Sequence, residues 1–369
     1  MDGTGDIPAI LLAVVCGAVI GCERQLNRKP AGVRYMGKYR VWFVFFVVTT
    51  VGGCAFGMEK KMDSAGFIDY CGYSNCVKLE NENTRVILCP DAGGRVLEYS
   101  LKGENCLYLD PQQNGWVYEP GKSIDPYGGR FDIGPETIIP QHPDLWLGKW
   151  TAEITGPLSA RMTSVKDTAT GVRLTRDFTL DRSTSKLICT QTINNISDNE
   201  KTWCYWGRTL ARGGGICIIP LTAGSRFPNK YIMYEPDTLI NYKPQDPNIK
   251  IADNFIVISG TPKYPKLGID SYAGWICYLT KNNLMLVKRF AAYPDRIYNE
   301  MTAITISIWY YKDLMCELEP IGPMEKIAPG SSASFTEQWW LLPCQFPAGD
   351  KQINLKEIEQ TVEKNTRLQ

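Results

Sequence analysis

Apolar and polar residues alternate along short runs of the chain from residue 73 onward. The run 172–180 places four apolar side chains on one face and polar side chains on the other. A period of two predicts a β-strand with one buried face. The run 186–194 repeats the pattern after a polar turn at 181–185, so the two runs are predicted to form a hairpin. Residues 302–309 alternate again, with three isoleucines opposite Thr305 and Ser307.

Runs of this kind recur along the chain and are separated by Gly, Pro, Asn and Asp. We count about 15 of them between residues 86 and 342, which is typical of a large antiparallel β-sandwich. Nothing between residues 70 and 345 has the period of a long amphipathic helix. We therefore predict an all-β domain over residues 73–345. The C-terminal tail, 346–369, has a short helical pattern at Leu355, Ile358 and Val362.

Residues 36–57 have a different character, because 41–57 carries no charge and follows Lys38 and Arg40. A basic start, an apolar run and small residues at the end are the layout of a secretory signal peptide. The uncharged run also reaches the lower end of the length that a membrane anchor needs. The sequence leaves both interpretations open, and both export the residues that follow.

Residues 51–54, Val-Gly-Gly-Cys, resemble the lipobox of bacterial lipoproteins, in which the Cys is lipidated and becomes the first mature residue. This resemblance makes Cys54 a candidate lipidation site. The alternative is a Cys that merely sits in an apolar run. If the lipobox is real, Met36 is the functional start, and residues 1–35 are an upstream extension.

Residues 7–22 form a second uncharged run, which predicts a first membrane helix. The loop 23–40 carries six positive residues against one negative. By the positive-inside rule this loop stays in the cytoplasm, and everything after residue 57 lies outside. We therefore expect a membrane-associated protein, held by N-terminal helices or by lipid, with a linker at 58–72 and a periplasmic globular part.

Residues 17–24 and 29–34 are similar to the start of MgtC/SapB-type bacterial membrane proteins. The shared pattern is Gly-x-x-Ile-Gly-x-Glu-Arg at the end of an apolar helix, followed by Ala-Gly-x-Arg. The resemblance covers 7–34 and ends after Arg34, where the family's further membrane helices do not follow. It implies a fused or truncated membrane fragment, or an overlong gene start.

Composition excludes several classes of function. Among 369 residues, 40 basic and 39 acidic side chains leave a net charge of +1, so no global field attracts nucleic acid, and no nucleic-acid partner is expected. The 13 Cys include no CxxC pair, and there is a single His, so neither a metal site nor another cofactor is predicted. Cys71 and Cys76 could pair across a short loop or remain reduced in the core, and the sequence leaves both open.

Two distant segments resemble aldose 1-epimerase (galactose mutarotase)-like domains. The first is 79–110, where a strand leads to Gly-Gly-Arg95 and a later Gly-x-Asn closes the next hairpin. The second combines 316–320, Pro-Gly at 329–330, and 335–340, and is similar to the closing strands of the same domains. The resemblance implies a mutarotase-like supersandwich, a carbohydrate ligand and, if the protein is an enzyme, an isomerase or another carbohydrate-active enzyme.

The catalytic pattern of that family is incomplete in this sequence. A mutarotase needs two positioned acid/base groups, which the family takes from a Glu in a Pro-Gly-Glu turn and a His, with a second His and an Arg binding the sugar. Ser331 occupies the position of the Glu, and His142 is the only His. The strand that matches the second His offers Trp206 and Arg208 instead. The sequence therefore predicts a non-standard mechanism.

Residues 128–150 are the stretch richest in charged and aromatic side chains that could form a site, and their Pro and Gly residues predict a loop. Its indoles and charged groups suit a sugar, which has apolar faces and a rim of hydroxyls. Another interpretation makes Trp146 and Trp150 core anchors and pairs Glu136 with Arg130 or Arg208. Outside this stretch, Glu317 and Glu319 share one strand face. Either both are solvated charges, or Glu319 replaces the Glu that the family has in its Pro-Gly-Glu turn. The candidate catalytic residues are Glu136, His142 and Glu319, and the candidate substrate-binding residues are Arg130, Asp144, Trp146, Trp206, Arg208 and Lys288.

The leading functional hypothesis is a carbohydrate-binding or carbohydrate-active domain, a non-standard epimerase or a pure binding module, exposed outside the cytoplasmic membrane of a bacterium. The first alternative is a non-catalytic structural or assembly lipoprotein. The second is an MgtC/SapB-type membrane protein with an appended sensor domain.

Overall fold

The computed structural model of the protein describes residues 64–347 and 353–367. The predictions for residues 1–35 and 36–57, with the lipidation site at Cys54, lie outside these ranges, as does the first part of the predicted linker. No helix within the described ranges is long and apolar enough to cross a lipid bilayer.

The described residues form 23 strands and two α-helices. The first twelve strands are β1 Ser64–Tyr70, β2 Tyr73–Glu80, β3 Thr84–Cys89, β4 Arg95–Leu101, β5 Glu104–Asn105, β6 Gly129–Gly134, β7 Thr151–Gly156, β8 Ser159–Thr163, β9 Val172–Leu180, β10 Leu187–Asn195, β11 Lys201–Arg212 and β12 Ile216–Pro220. The others are β13 Ile232–Tyr234, β14 Ile240–Asn241, β15 Ile249–Ala252, β16 Phe255–Ile258, β17 Lys266–Ile269, β18 Trp275–Thr280, β19 Leu284–Phe290, β20 Ile306–Tyr311, β21 Met315–Pro320, β22 Glu325–Ile327 and β23 Ser332–Pro343. The helices are α1 Pro143–Trp146 and α2 Leu355–Asn365, and short 3₁₀ turns occupy Pro111–Gln113, Pro236–Thr238 and Met301–Ala303.

The strands form two antiparallel sheets. The first sheet has 13 strands in the order β1-β2-β3-β4-β6-β11-β21-β20-β17-β13-β14, with β5 and β22 attached to β4 and β11. The second has 10 strands in the order β15-β16-β12-β18-β19-β23-β10-β9-β8-β7. Aromatic side chains join them, because Phe131 of the first sheet stacks on Trp339 of the second at 5.7 Å between ring centroids. The predicted all-β sandwich is confirmed.

The hairpin predicted from alternation is present. β9 and β10 pair along their whole length, from Val172 opposite Asn195 to Leu180 opposite Leu187. Their alternate apolar side chains are buried, as the period of two predicts. The shortest strands have only two or three residues, which is too few to show a period of two. They are β5, β13, β14 and β22.

Two boundaries differ from the prediction. The sheet begins at Ser64, because β1 pairs with β2 inside the segment predicted as a linker, and its sequence lacks clear alternation. The run 302–309 becomes a strand only at Ile306, since Thr302 has φ 61° within a 3₁₀ turn. Ser307 is nevertheless buried, because side chains also cover the outer face of this strand.

The C-terminal helix is confirmed as α2. Asn354 caps its first turn by accepting a hydrogen bond from the Glu357 amide at 3.1 Å. Leu355, Ile358 and Val362 are buried against the second sheet, which is the face that the sequence pattern indicated.

The ten cysteines within the described ranges are free thiols. Cys71 and Cys76 are therefore not joined. The Cys76 thiol instead contacts the Tyr70 carbonyl at 3.9 Å. Most of the ten are buried, as expected for small apolar core residues.

A buried ion pair on the inner face of the second sheet bonds across the interior to the first sheet. Lys288 Nζ on β19 lies 2.9 Å from Glu337 Oε2 on β23, and both side chains are fully buried. Lys288 also donates to Thr209 Oγ1 at 2.9 Å and to the Leu318 carbonyl at 3.0 Å, which belong to β11 and β21. Tyr205 of β11 donates to Glu337 Oε1 at 2.6 Å. The pair therefore attaches the second sheet to two strands of the first.

A second interior contact attaches β6. Arg176 on β9 donates to the Phe131 carbonyl at 2.6 Å, and Gln191 on β10 donates to the Asp132 carbonyl at 2.8 Å. Arg176 Nε also donates to Gln191 Oε1 at 2.8 Å. Burial lowers the pKa of Arg176 to about 9, because no carboxylate bonds to its guanidinium. Strands β6, β11 and β21 are thus each bonded from the interior by polar side chains of the second sheet.

Removing one member of the interior ion pair leaves the other charge buried and unpaired, which costs about 3 to 5 kcal/mol in comparable pairs. We expect Glu337→Gln to lower the free energy of unfolding by that amount in a urea titration. The exposed pair Arg161–Asp177 is the control, and Arg161→Ala should cost at most about 1 kcal/mol. Equal losses in the two variants would contradict the role given to the interior pair.

Candidate functional site

Six polar or aromatic side chains lie together on the face of the first sheet that points away from the core. Each strand contributes two of them, because residues two apart share a face while the residues between them, such as Phe131 and Tyr205, enter the core. The register sets Trp206 opposite Asp132, and Arg208 opposite Arg130. We call these residues the outer-face cluster: Arg130 and Asp132 of β6, Trp206 and Arg208 of β11, and Glu317 and Glu319 of β21.

Glu317 is the anionic centre of this cluster. Its Oε1 lies 2.5 Å from Arg130 Nη2 and 3.0 Å from Arg208 Nε. Burial by itself raises the pKa of Glu317, but Arg130 and Arg208 outweigh it and lower the pKa to about 2. Arg130 also bonds Asp125 and the carbonyls of Pro126 and Arg208, so four of its five N–H donors are used.

Glu319 lies two residues further along the same strand, and its pKa is shifted in the opposite direction. It is 1% exposed, and burial together with the charge of Glu317 raises its pKa to about 8, although Lys266 and Arg208 oppose the shift. Trp206 Nε1 donates to Glu319 Oε2 at 2.6 Å. One carboxyl of the pair is therefore ionised at neutral pH and the other protonated, which is the arrangement that acid/base sites use.

Arg208 lies between two indoles. Its guanidinium carbon is 4.6 Å from the ring centroid of Trp146 and 4.3 Å from that of Trp206. Trp146 reaches it from α1, which lies in the covering loop 135–150. Trp146 also stacks on Arg130 at 5.0 Å, so this loop covers the outer-face cluster with an aromatic side chain.

His142 binds Asp132 from the same loop. His142 Nε2 lies 2.9 Å from Asp132 Oδ1, and Nδ1 lies 2.8 Å from the Pro140 carbonyl. Both partners are acceptors, so both ring nitrogens carry protons. Burial by itself lowers the pKa of His142, but Asp132 outweighs it and raises the pKa to about 9. In this arrangement the imidazole has no free lone pair with which to act as a base.

Glu136 lies at the exposed edge of the site, with 45% of its side chain accessible. It forms an ion pair with Lys266 of β17, rather than with Arg130 or Arg208. Lys266 Nζ is also 5.4 Å from the ring centroid of Trp206. The pKa of Lys266 is raised, because the nearby carboxyl groups of Glu319 and Glu136 outweigh the effect of burial. No sequence pattern indicated Lys266, since β17 has only four residues.

A cavity of about 520 Å³ adjoins the cluster. Trp146 and His142 form part of its wall, and a loop at 118–123 forms the opposite wall. Its volume is within the range of ligand sites in proteins. The lining residues are Tyr118, Gly121, Lys122, Ser123, Ile139, Pro140, Gln141, His142, Pro143, Trp146 and Leu147.

Three of the residues singled out in the sequence lie outside the outer-face cluster and the cavity wall. Asp144 is exposed on α1 and does not line the cavity. Trp150 is a core anchor, since it is buried and donates to the Leu145 carbonyl at 3.1 Å. The structure places Lys288, a predicted substrate-binding residue, in the interior, where its ammonium bonds Glu337. In the described ranges no group of three His, Cys, Asp or Glu could hold a metal ion.

The raised pKa of Glu319 makes stability depend on pH. A carboxyl whose folded pKa lies above its ordinary value of 4.5 stabilises fully below that value, and the contribution is lost as pH rises through about 8. We expect Glu319→Gln to gain stability relative to the unmodified protein as pH rises across this interval, on the order of 5 kcal/mol. Urea titrations at several pH values measure it. Glu325→Gln, at the partly exposed ion pair with Arg296, is the control, and a flat difference for Glu319→Gln would contradict the assignment.

The single histidine permits a direct test of the His142–Asp132 pair, because its imidazole NMR signals need no assignment. We expect a titration midpoint near 9, falling to the ordinary value of 6.5 or lower in Asp132→Asn. The pair stabilises fully below pH 6.5, and this contribution is lost as pH rises through about 9. A midpoint near 6.5 in the unmodified protein would show that the pair does not form.

The chain was compared with known families and structures. No protein-family model matches it, and no curated protein matches it. The resemblance of residues 7–34 to MgtC/SapB-type proteins therefore has no support from these searches, and those residues lie outside the described ranges.

Solved structures do share its fold. The Slr1438 protein of Synechocystis sp. PCC 6803 is 15% identical, with a TM-score of 0.52 over 75% of this chain and 99% of that one. A putative aldose 1-epimerase of Escherichia coli K12 is 11% identical, with a TM-score of 0.52 over 73% and 99%. A galactose mutarotase-like protein of Lactobacillus casei ATCC 334 is 9% identical, with a TM-score of 0.52 over 73% and 100%. At these identities the likeness concerns fold alone, and the described domain has a galactose mutarotase-like fold.

Proposed function

We propose that this domain binds a carbohydrate at the outer-face cluster and the adjoining cavity, and that Glu319 exchanges a proton with it. The fold supports a carbohydrate ligand, since its neighbours include proteins named for aldose epimerisation and galactose mutarotation. The proposed reaction is an epimerase-like isomerisation that does not use the family's usual Glu and His. Glu136 and His142 remain predicted catalytic residues until they are tested.

The observation that carries this proposal is the opposite protonation of Glu317 and Glu319. Interconversion of sugar anomers needs one proton removed from the anomeric hydroxyl and one delivered to the ring oxygen. A carboxyl with a pKa of about 8 can make both transfers near neutral pH: its O–H donates to the ring oxygen while its other oxygen accepts the anomeric proton, so Glu319 ends protonated as it began. Glu317 is unsuited to that role, because two guanidinium groups keep it ionised.

The surroundings of Glu319 suit a sugar. Trp146, in the wall of the adjoining cavity, offers an apolar ring for C–H groups, while Arg208 and Lys266 offer donors for hydroxyl oxygens. The side-chain exposures of Arg208 and Lys266, 18% and 25%, leave these donors within reach of a ligand.

A binding module without turnover is the second candidate, and the burial of Glu319 favours it. A proton can reach this carboxyl from a ligand only if Trp206 or Trp146 moves. In that case Trp146→Ala weakens binding, and no variant changes a reaction. We also propose, from the sequence of residues 7–57 alone, that the domain lies outside the cytoplasmic membrane.

Two measurements on the full-length protein test the function. Ligand binding to the folded state raises the melting temperature, so a panel of mono- and oligosaccharides should yield at least one stabilising class. With that sugar, NMR exchange spectroscopy measures anomer interconversion. We expect Glu319→Gln to keep the stabilisation and to lose at least about a hundredfold in interconversion.

The control is Glu325→Gln, which removes an exposed carboxylate and should change neither measurement. Glu136→Gln is the comparison for the competing catalytic assignment. Loss of interconversion in Glu136→Gln alone would move the proton transfer to Glu136. A flat panel from protein shown to be folded would reject the carbohydrate function.

A further inference from the structure

Arg208 has hydrogen-bond donors that the protein does not use. Its Nε donates to Glu317, but no hydrogen bond joins either terminal nitrogen to any residue in the described ranges. The nearest acidic contact is Asp132 Oδ2, 3.8 Å from Nη1, which is beyond hydrogen-bonding distance. A guanidinium carries five N–H donors, so four remain available.

The position of these donors is fixed. Trp146 and Trp206 both contact the guanidinium with their ring faces, and the Glu317 carboxylate fixes the Nε edge. Rotation of the guanidinium is therefore restricted before any ligand arrives, and pre-organised donors lose less entropy on binding. The terminal nitrogens form a planar fork at a partly exposed position.

No acidic residue lines the adjoining cavity. Its 11 lining residues include Lys122 and the doubly protonated His142, which are paired with Glu119 and Asp132. The carboxylate of a ligand would therefore contact no carboxylate among the lining residues.

We propose that the carbohydrate bound at this site carries a carboxylate, as a uronate does, and that the terminal nitrogens of Arg208 receive it. This inference rests on the proposed carbohydrate function. Two parallel N–H groups match the two oxygens of a planar carboxylate. A phosphate dianion would need a second free cation, and Lys266 is already paired with Glu136.

Calorimetry on the full-length protein tests the proposal with sugars that differ only in the anionic group. Glucuronate and galacturonate are compared with their methyl esters and with glucose and galactose. We expect each uronate to bind at least about tenfold more tightly than its ester, as a charge-assisted hydrogen bond implies. This comparison uses the unmodified protein, so it does not depend on the folding of a variant.

Variants of Arg208 then locate the effect. Arg208→Gln should abolish the preference for the uronate over its ester, and Arg208→Lys should restore only part of that preference because it keeps the charge without the fork. Arg161→Gln, at an exposed pair in the second sheet, is the matched control and should retain the full preference.

The failures of the two proposals are distinguishable. Equal affinity for uronates and their esters would overturn the carboxylate inference and leave the carbohydrate function standing. Tighter binding of sugar phosphates or sulfates than of uronates would overturn the choice of carboxylate. Failure of every sugar to bind to folded protein would overturn both.

Discussion

The buried ion pair between Lys288 and Glu337 is the constraint on which the site depends. It bonds the second sheet to β11 and β21 from inside the sandwich, directly behind Arg208 and the two glutamates. Gly207 permits this close approach, because a Cβ atom there would lie 2.0 Å from Glu337 Oε1. Buried ion pairs of this kind add little net stability, so positioning is the effect we infer for it.

Electrostatic pairing on the other face follows from that geometry. Arg130 and Arg208 both bond the carboxylate of Glu317. At Glu319, Lys266 and Arg208 lower the pKa by less than burial and the charge of Glu317 raise it. Two identical residues, two positions apart on one strand, therefore have opposite protonation at neutral pH. The difference arises from neighbours on β6 and β11, which are remote from β21 in sequence.

Much of the site was visible in the sequence as a set of residue types. Alternation placed Glu317 and Glu319 on one face, and the match to the second His strand selected Trp206 and Arg208. The interior position of Lys288 had no local signal, because its buried partner Glu337 lies on another strand. Lys266 and Asp125 gave no signal, since one lies on a very short strand and the other in a loop.

The sequence by itself determined the all-β class, the hairpin of β9 and β10, the short C-terminal helix and the shared face of the paired glutamates, because each depends on periodicity within a single segment. Only the tertiary structure decided which glutamate is protonated, which nitrogen atoms of Arg208 remain free, and that His142 binds Asp132. These properties depend on burial and on charges brought together across strands far apart in the chain, and no local pattern encodes them.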